Sequence, residues 1–461
     1  MTGPASDRRP RPGTPAGDVL DFVAVGAGPF NLGLAALAEP AGLQGVVLES
    51  REETTWHGGM MLPEATLQVP FMADLVTMAD PTSPYSFLAF LKETGRLYPF
   101  YIRESFYPLR REYDRYLRWA AERLPVLLGH HVQSVRRDGD LFAVTALTAD
   151  GPTTLLARHV VLGVGTTPHV PDAARAACDA DGGLAIHSAE YLQRKEQLQE
   201  SGSITVVGSG QSAAEVYRDL LEDARDRDYR LTWVTRSPRF FPMEYTKLTL
   251  EMTSPEYTAY FQSLPTTTRD RLVVEHKPLY KGISGDLVDD IYDTLYRLGL
   301  DGPVPTDLLA GTTLTASRWD EGAGRFSLEL RHDETDQAFT LDTASLVLAT
   351  GYRAQLPDLV EPLREGLHWD ERGRYAVAAD YTIDAEHRVF VQNAEEHTHG
   401  FVAPDLGMGA FRSSIIVNAM AGREVYAVEE RIAFQTFGAP TSDRDGGARA
   451  DGIRSLTGVD R

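Results

Sequence analysis

Residues 19–43 read VLDFVAVGAGPFNLGLAALAEPAGL. The apolar run Phe22, Val23, Ala24, Val25 predicts a buried parallel strand; the turn Gly26-Ala27-Gly28 follows, and Pro29 to about Ala38 predicts a helix. A second apolar run, Gly45-Val46-Val47-Leu48, closes on Glu49. That acid lies about 20 residues past the turn, where a strand-end carboxylate meets a ribose hydroxyl in a dinucleotide fold.

The same grammar returns in residues 201–224, SGSITVVGSGQSAAEVYRDLLEDA. Ile204–Val207 predicts a strand, Gly208-Ser209-Gly210 a turn, and Gln211 to Leu221 a helix; the strand 231–235 that follows closes on Arg236 and Ser237. A carboxylate at this place suits a free 2′-hydroxyl, whereas a guanidinium suits a 2′-phosphate. The two units therefore look built for different dinucleotides, the second for the phosphorylated kind. Both depart from Gly-x-Gly-x-x-Gly at the third glycine: Asn31 stands there in the first unit and Ala213 in the second.

Working outward, 157–171 and 342–357 each read as a strand breaking into a glycine-containing turn. The fold expected is α/β, with two Rossmann-like dinucleotide-binding domains, the second inserted into the first. Expected bounds are 20–195 and 335–437 for the first domain and 196–334 for the second, with loose Pro/Gly/Asp/Arg-rich tails at 1–19 and 438–461. Lys and Arg number 45 against 66 Asp and Glu, a net charge of −21, which argues against a nucleic-acid binder. Cys178 is the single cysteine, so an internal disulfide, a Cys-x-x-Cys redox pair and a thiolate zinc site are excluded. With them goes a disulfide reductase, which shares the two-dinucleotide plan. No apolar run reaches spanning length, and the Arg-Arg pair near the start has no apolar stretch behind it; the cytoplasm is the expected location.

The segments GAGPFNL (26–32), TWHGGM (55–60), LQVPFMADLV (67–76), PTSPYSFLAFL (81–91) and ATGY (349–352) together resemble the N-hydroxylating flavoprotein monooxygenases of hydroxamate siderophore biosynthesis, from about Asp21 to Phe437. In that family an asparagine follows the first glycine pair, which accounts for Asn31. The wider flavin monooxygenase class carries a phenylalanine-x-glycine-x-x-x-histidine linker. Gly183 and His187 keep that spacing here, but Asp181 replaces the phenylalanine, favouring the amine branch.

The resemblance implies FAD, NADPH and O2: hydride passes to the flavin, oxygen adds as a C4a-hydroperoxide, and a neutral primary amine takes the distal oxygen. It implies no metal and no acid–base triad, only water exclusion and positioning. Gly26, Gly28, Pro29 and Asn31 are expected to cradle the FAD pyrophosphate, with Glu49 on the ribose. Trp56, His57 and Gln68 are expected along the flavin. NADPH is expected at Gly208, Gly210, Gln211, Ser212, Glu215, Arg236 and Ser237. A homo-oligomer, a tetramer as in many relatives, is expected to use the aromatic stretch 89–119.

In the ornithine branch, three polar residues hold the amino acid's α-carboxylate and α-amine: a lysine, an asparagine and a serine. Matched here are Ala73 (in Phe71-Met72-Ala73-Asp74-Leu75), Leu250 (before Glu251 and Pro255) and Gly407, five residues before Arg412. A buried carboxylate without a partner costs several kcal/mol. The resemblance therefore implies an aliphatic diamine, cadaverine or putrescine, with Glu244, Glu251, Glu395, Glu396 and Asp405 as candidates for its far ammonium. An L-lysine or L-ornithine monooxygenase, and a catalytically inert dinucleotide-binding sensor, are the alternatives.

Overall fold

A computed structural model of the protein describes residues 19–439, so nearly all of both expected tails lies outside the described residues. β1 (Leu20–Val25) pairs in parallel with β2 (Gly45–Leu48), setting Phe22 against Gly45. A Cβ on Gly45 would lie 2.1 Å from the Phe22 ring, so this register requires glycine. β3 (Val126–Leu127) continues beyond β2, β4 (His131–Asp138) and β5 (Leu141–Thr148) form a hairpin, and β6 (Gly151–Leu162) lies parallel to β1. The strand order is β3-β2-β1-β6-β5-β4. Phe22 and Ala24 face one core while Val23 and Val25 face another, and a strand covered on both faces reads as an unbroken apolar run. α1 (Pro29–Ala38) starts with proline in its first turn, where a missing N–H costs nothing.

β7 (Thr166–Pro168) carries the chain out of this sheet. β8 (Leu184–His187), β9 (Ser203–Val207), β10 (Arg230–Val234) and β11 (Thr306–Leu309) enter a second, parallel sheet. β12 (Thr312–Asp320), β13 (Arg325–His332) and β14 (Gln337–Thr343) make a separate antiparallel sheet. β15 (Ser345–Leu348) then inserts between β9 and β8, giving the order β11-β10-β9-β15-β8. On the way back β16 (Tyr352–Ala354) pairs antiparallel with β7, so the outgoing and returning chains run side by side. β17 (Val389–Val391) finally pairs with β6 in the first sheet.

This topology corrects the expected bounds of 196–334. β8 and β15 belong to the second sheet, and the crossings fall at 166–168 and 352–354. Both strands are only four residues long, too short to be allotted to a sheet by pattern alone. Among the described residues, no helix is long and apolar enough to cross a membrane.

Candidate functional site

At the first turn, Gly26 has φ +95°, and a Cβ there would lie 2.4 Å from the Gly163 carbonyl oxygen. Gly28, the N-cap of α1, faces open space, with nothing within 4 Å of an added Cβ. The first amide groups of a helix have no partner within it, so this end offers donors and a positive dipole to a phosphate. Asn31 lies differently from expectation: its side chain is buried and turned away from the open turn. Nδ2 donates to the carbonyls of Val25 (3.0 Å) and Gly26 (2.8 Å), and Oδ1 accepts from Gln392 Nε2 at 2.8 Å. The glycine missing at position 31 reappears across the sheet as Gly163, where a Cβ would lie 2.4 Å from that amide. Asn31 therefore shapes the cradle and ties it to β6 and β17.

Glu49 is buried; its carboxylate accepts from Ala27 N at 2.9 Å and from Arg51 N and Nε at 3.1 and 3.0 Å. Burial pushes this carboxyl up, but the Arg51 and Ala27 hydrogen bonds and the Arg51 charge outweigh it and hold it below the usual range. It stays ionised, and the Ser50 hydroxyl and Arg51 Nη2 also donate to it, at 3.3 and 3.5 Å, the longest of its contacts.

His57, in the left-handed region (φ 53°), packs edge-on to Trp56 at 4.9 Å and to Tyr352 at 5.4 Å. One edge stays open to solvent, yet protein crowds the ring. That crowding, with the Arg110 and Arg51 charges, lowers its pKa to about 4, so it is neutral at physiological pH. Behind it, a Cβ on Gly59 would overlap the Ala189 carbonyl, which fixes 55–60 against the second unit. Gln68 holds its Nε2 buried with no hydrogen-bond partner among the described residues. An open cradle, an ionised strand-end acid and an orphan amide fit a bound FAD.

At the second turn a Cβ on Gly208 would lie 2.3 Å from Ala349 O, and Gly210 caps helix Gln211–Asp223. Arg236 is exposed and pairs with no carboxylate among the described residues; Ser237 beside it donates its N–H to Thr235 Oγ1 at 3.2 Å. Three cations that sequence reasoning missed, Lys277, Lys281 and Arg353, join Arg236: burial, then the charges of Lys281, Arg236 and Arg353, opposed by Glu396, lowers the pKa of Lys277. Arg353 directly follows the ATGY segment and so carried a signal; Lys277 carried none. A cluster of positive charge beside a glycine turn, in a chain of net charge −21, fits the 2′-phosphate of NADPH. Ser212 is half-buried in the helix's first turn. Gln211 and Glu215 turn toward protein: Gln211 donates to Glu215 and accepts from Ser284 N, while both Glu215 oxygens accept from Arg110.

Segments 74–75 and 406–409 meet over the start of α1, lining a small cavity with Pro29, Phe30, Gly33 and Tyr113. Ala73, buried, precedes the first, and Gly407, half-buried, lies in the second. Neither supplies a polar side chain. Leu250 is half-buried in the short helix Lys247–Leu250.

The five candidate acids separate by what they touch. Glu251 accepts from Phe434 N and Gln435 N at 2.9 and 3.0 Å, clipping the C-terminal segment. Glu395 is fully buried, 3.1 Å from the buried Arg412. Glu396 accepts from Tyr280 and lies 3.8 Å from Lys281. Glu244 is exposed, without an ion pair among the described residues. Asp405 accepts only from Gly407 N, at 2.8 Å through Oδ1, leaving Oδ2 free. Its carboxyl is pushed up by burial, opposed by that hydrogen bond and by the Arg412 charge. Its charge, after burial and Tyr107, helps push Tyr245 up to about 12. Asp405 directly precedes Leu406 of that lining, with Tyr245 within reach of its charge.

A profile of the L-lysine 6-monooxygenase/L-ornithine 5-monooxygenase family matches residues 18–354. The chain is 47% identical over 425 residues to the putrescine N-hydroxylase of Shewanella oneidensis, covering 91% of this chain and 84% of that one. The structure of the desferrioxamine-pathway cadaverine monooxygenase of Erwinia amylovora bound to FAD superposes with a TM-score of 0.89 at 50% identity, over 92% and 99% of the two chains. The ornithine N-hydroxylase of Kutzneria, solved with reduced FAD, NADP+ and L-ornithine, superposes with a TM-score of 0.80 at 29% identity, over 87% and 99%.

Proposed function

Because the chain belongs to the L-lysine 6-monooxygenase/L-ornithine 5-monooxygenase family, we propose that it N-hydroxylates a terminal amine of putrescine or cadaverine, using FAD, NADPH and O2, toward a hydroxamate siderophore. The observation that carries this reading is the set of side chains at the positions where the amino-acid branch holds its carboxylate. Ala73 and Gly407 offer nothing to a carboxylate, while Asp405 offers a free oxygen to a cation. One oxygen atom of O2 ends on nitrogen, converting N–H to N–OH; the other leaves as water, with two electrons from NADPH. When bound, FAD supplies the electron transfer and the activation of oxygen.

The chain's own residues do the rest. Gly26, Gly28 and Pro29 hold the FAD pyrophosphate at the start of α1, Glu49 holds the ribose, and Gln68 offers its amide to the flavin. Gly208, Gly210, Ser212, Arg236 and Ser237, joined by Lys277 and Arg353, hold NADPH. Asp405 binds the far ammonium, which offsets the cost of its own burial, and so orients the near amine. His57, neutral above pH of about 4, adds no positive charge where an uncharged amine approaches.

Turnover under isotopically heavy O2 tests the reaction: one heavy atom should appear in the hydroxylamine, and label entering from water instead would overturn it. Tyr98, Tyr101, Ile102 and Phe106 are each more than two-thirds exposed, and in this reading they contact another copy in a cytoplasmic homo-oligomer, a tetramer in the pattern of the family. Light scattering should return a multiple of the chain mass; a monomer would remove the oligomer from the proposal.

A further inference from the structure

Arg110 and Glu215 face each other across the seam between the two units. Arg110 opens helix Arg110–Ala121 of the first unit; Glu215 lies one turn into helix Gln211–Asp223, whose start forms the second cradle. Nη1 and Nη2 of the guanidinium donate to the two carboxylate oxygens at 2.9 and 2.8 Å, and both side chains are largely buried. The same Nη1 donates to the Met60 carbonyl at 2.8 Å, at the end of the 55–60 segment. On the far side, Gln211 Nε2 donates to Glu215 at 3.0 Å while its Oε1 accepts from Ser284 N at 2.8 Å. One connected set of bonds therefore runs from the flavin-side main chain, through the fork, to the start of the second cradle.

Met60 and Leu62 already pack in the apolar core of the second unit, so the two units would adhere without the fork. Apolar contact is non-directional, and a buried ion pair adds little net stability over an apolar substitute. What a two-bond fork adds is a fixed distance and angle. We propose that Arg110 and Glu215 are positioning residues that set the second cradle against Trp56–Met60, and with it the hydride-transfer distance from nicotinamide to flavin. The inference rests on reading the two cradles as the FAD and NADPH sites.

The test is anaerobic flavin reduction of the holoenzyme by saturating NADPH, comparing wild type with Glu215→Gln and Arg110→Lys, beside NADP+ affinity by calorimetry and amide exchange of 55–62. Glu215→Gln keeps the shape of the side chain, so it reports even if Arg110→Lys fails to fold. The expected result is reduction slowed by about tenfold or more, since a misplacement of about 1 Å costs on the order of a hundredfold. FAD content and NADP+ affinity should stay within about threefold, because both side chains are engaged with each other and with protein groups, while a protection of 55–62 expected on adding NADP+ to wild type should be lost. Unchanged reduction and unchanged exchange, with only a lower melting temperature, would overturn the inference and leave the functional reading intact. A wild type that NADPH does not reduce would overturn both.

Discussion

The two glycine turns share one backbone plan and differ in what surrounds them. The first has Asn31 and Gln392 bracing it from behind and the buried Glu49, paired with Arg51, reaching back to Ala27 N. The second is braced by Gln211, and Arg236 after its next strand shares its surroundings with the cations Lys277, Lys281 and Arg353. In the proposed reading the glycines set how close a phosphate can come, while the charge at the end of the next strand sets which dinucleotide is preferred. A third region, around positions 73 and 405–407, takes its character from missing polar groups at 73 and 407 and a carboxylate at 405.

The hardest blow to this comparison falls on the first turn. Gly26→Ala places a side chain at φ +95° and into the Gly163 carbonyl, and the protein should purify without flavin, read as absorbance near the flavin band. Flavin at wild-type content would show that the turn is not the cradle. Next comes the cavity. Asp405→Asn keeps size and removes charge, so KM for the diamine should rise about tenfold to a hundredfold with kcat for saturated enzyme less affected, the range expected when a charged hydrogen bond is lost. At the second turn, Arg236→Ser should raise KM for NADPH by about tenfold and leave NADH use unchanged, which isolates the 2′-phosphate.

Smaller effects sharpen the picture. Burial, then the charges of Arg412, His397 and Arg269, lowers His399 from its ordinary 6.5 to about 3. Between those values the unfolded chain binds a proton that the folded chain refuses, so stability falls as pH drops from 6.5 toward 3. His399→Gln should flatten that part of the melting-temperature profile; an unaltered slope would assign the acid lability elsewhere. Least of all, Glu251→Gln should leave KM for the diamine within about twofold, since this acid clips Phe434 and Gln435 in place of a substrate. A large rise in KM would return Glu251 to the ammonium site.

What could be read from the chain depended on how local the cause was. The first cradle was legible because strand, turn and helix are contiguous, and β1, α1 and β2 fall where the apolar runs and glycines put them. The limits of the inserted unit were not, because β8 and β15 are four-residue runs that gain meaning only from pairing with β9 and each other. Glu215 illustrates the same limit within the site. Its position after the second turn suggested a cofactor contact, whereas its partner Arg110 lies 105 residues earlier in the chain. Sorting the five acids likewise needed distant partners, such as Phe434 for Glu251 and Arg412 for Glu395. Asn31 was legible as a departure from the glycine pattern, but its reason, the facing Gly163, belongs to another strand.

Cadaverine and lysine, like putrescine and ornithine, differ by a single carboxylate, the group for which Ala73 and Gly407 offer no polar side chain. Measuring kcat/KM for both pairs, scored by hydroxylated product so that peroxide leakage is not counted, addresses the central claim most directly. Each diamine should exceed its amino acid by at least about a hundredfold, the scale set by leaving a carboxylate buried and unpaired. Lysine or ornithine turned over as well as its decarboxylated partner would contradict the account.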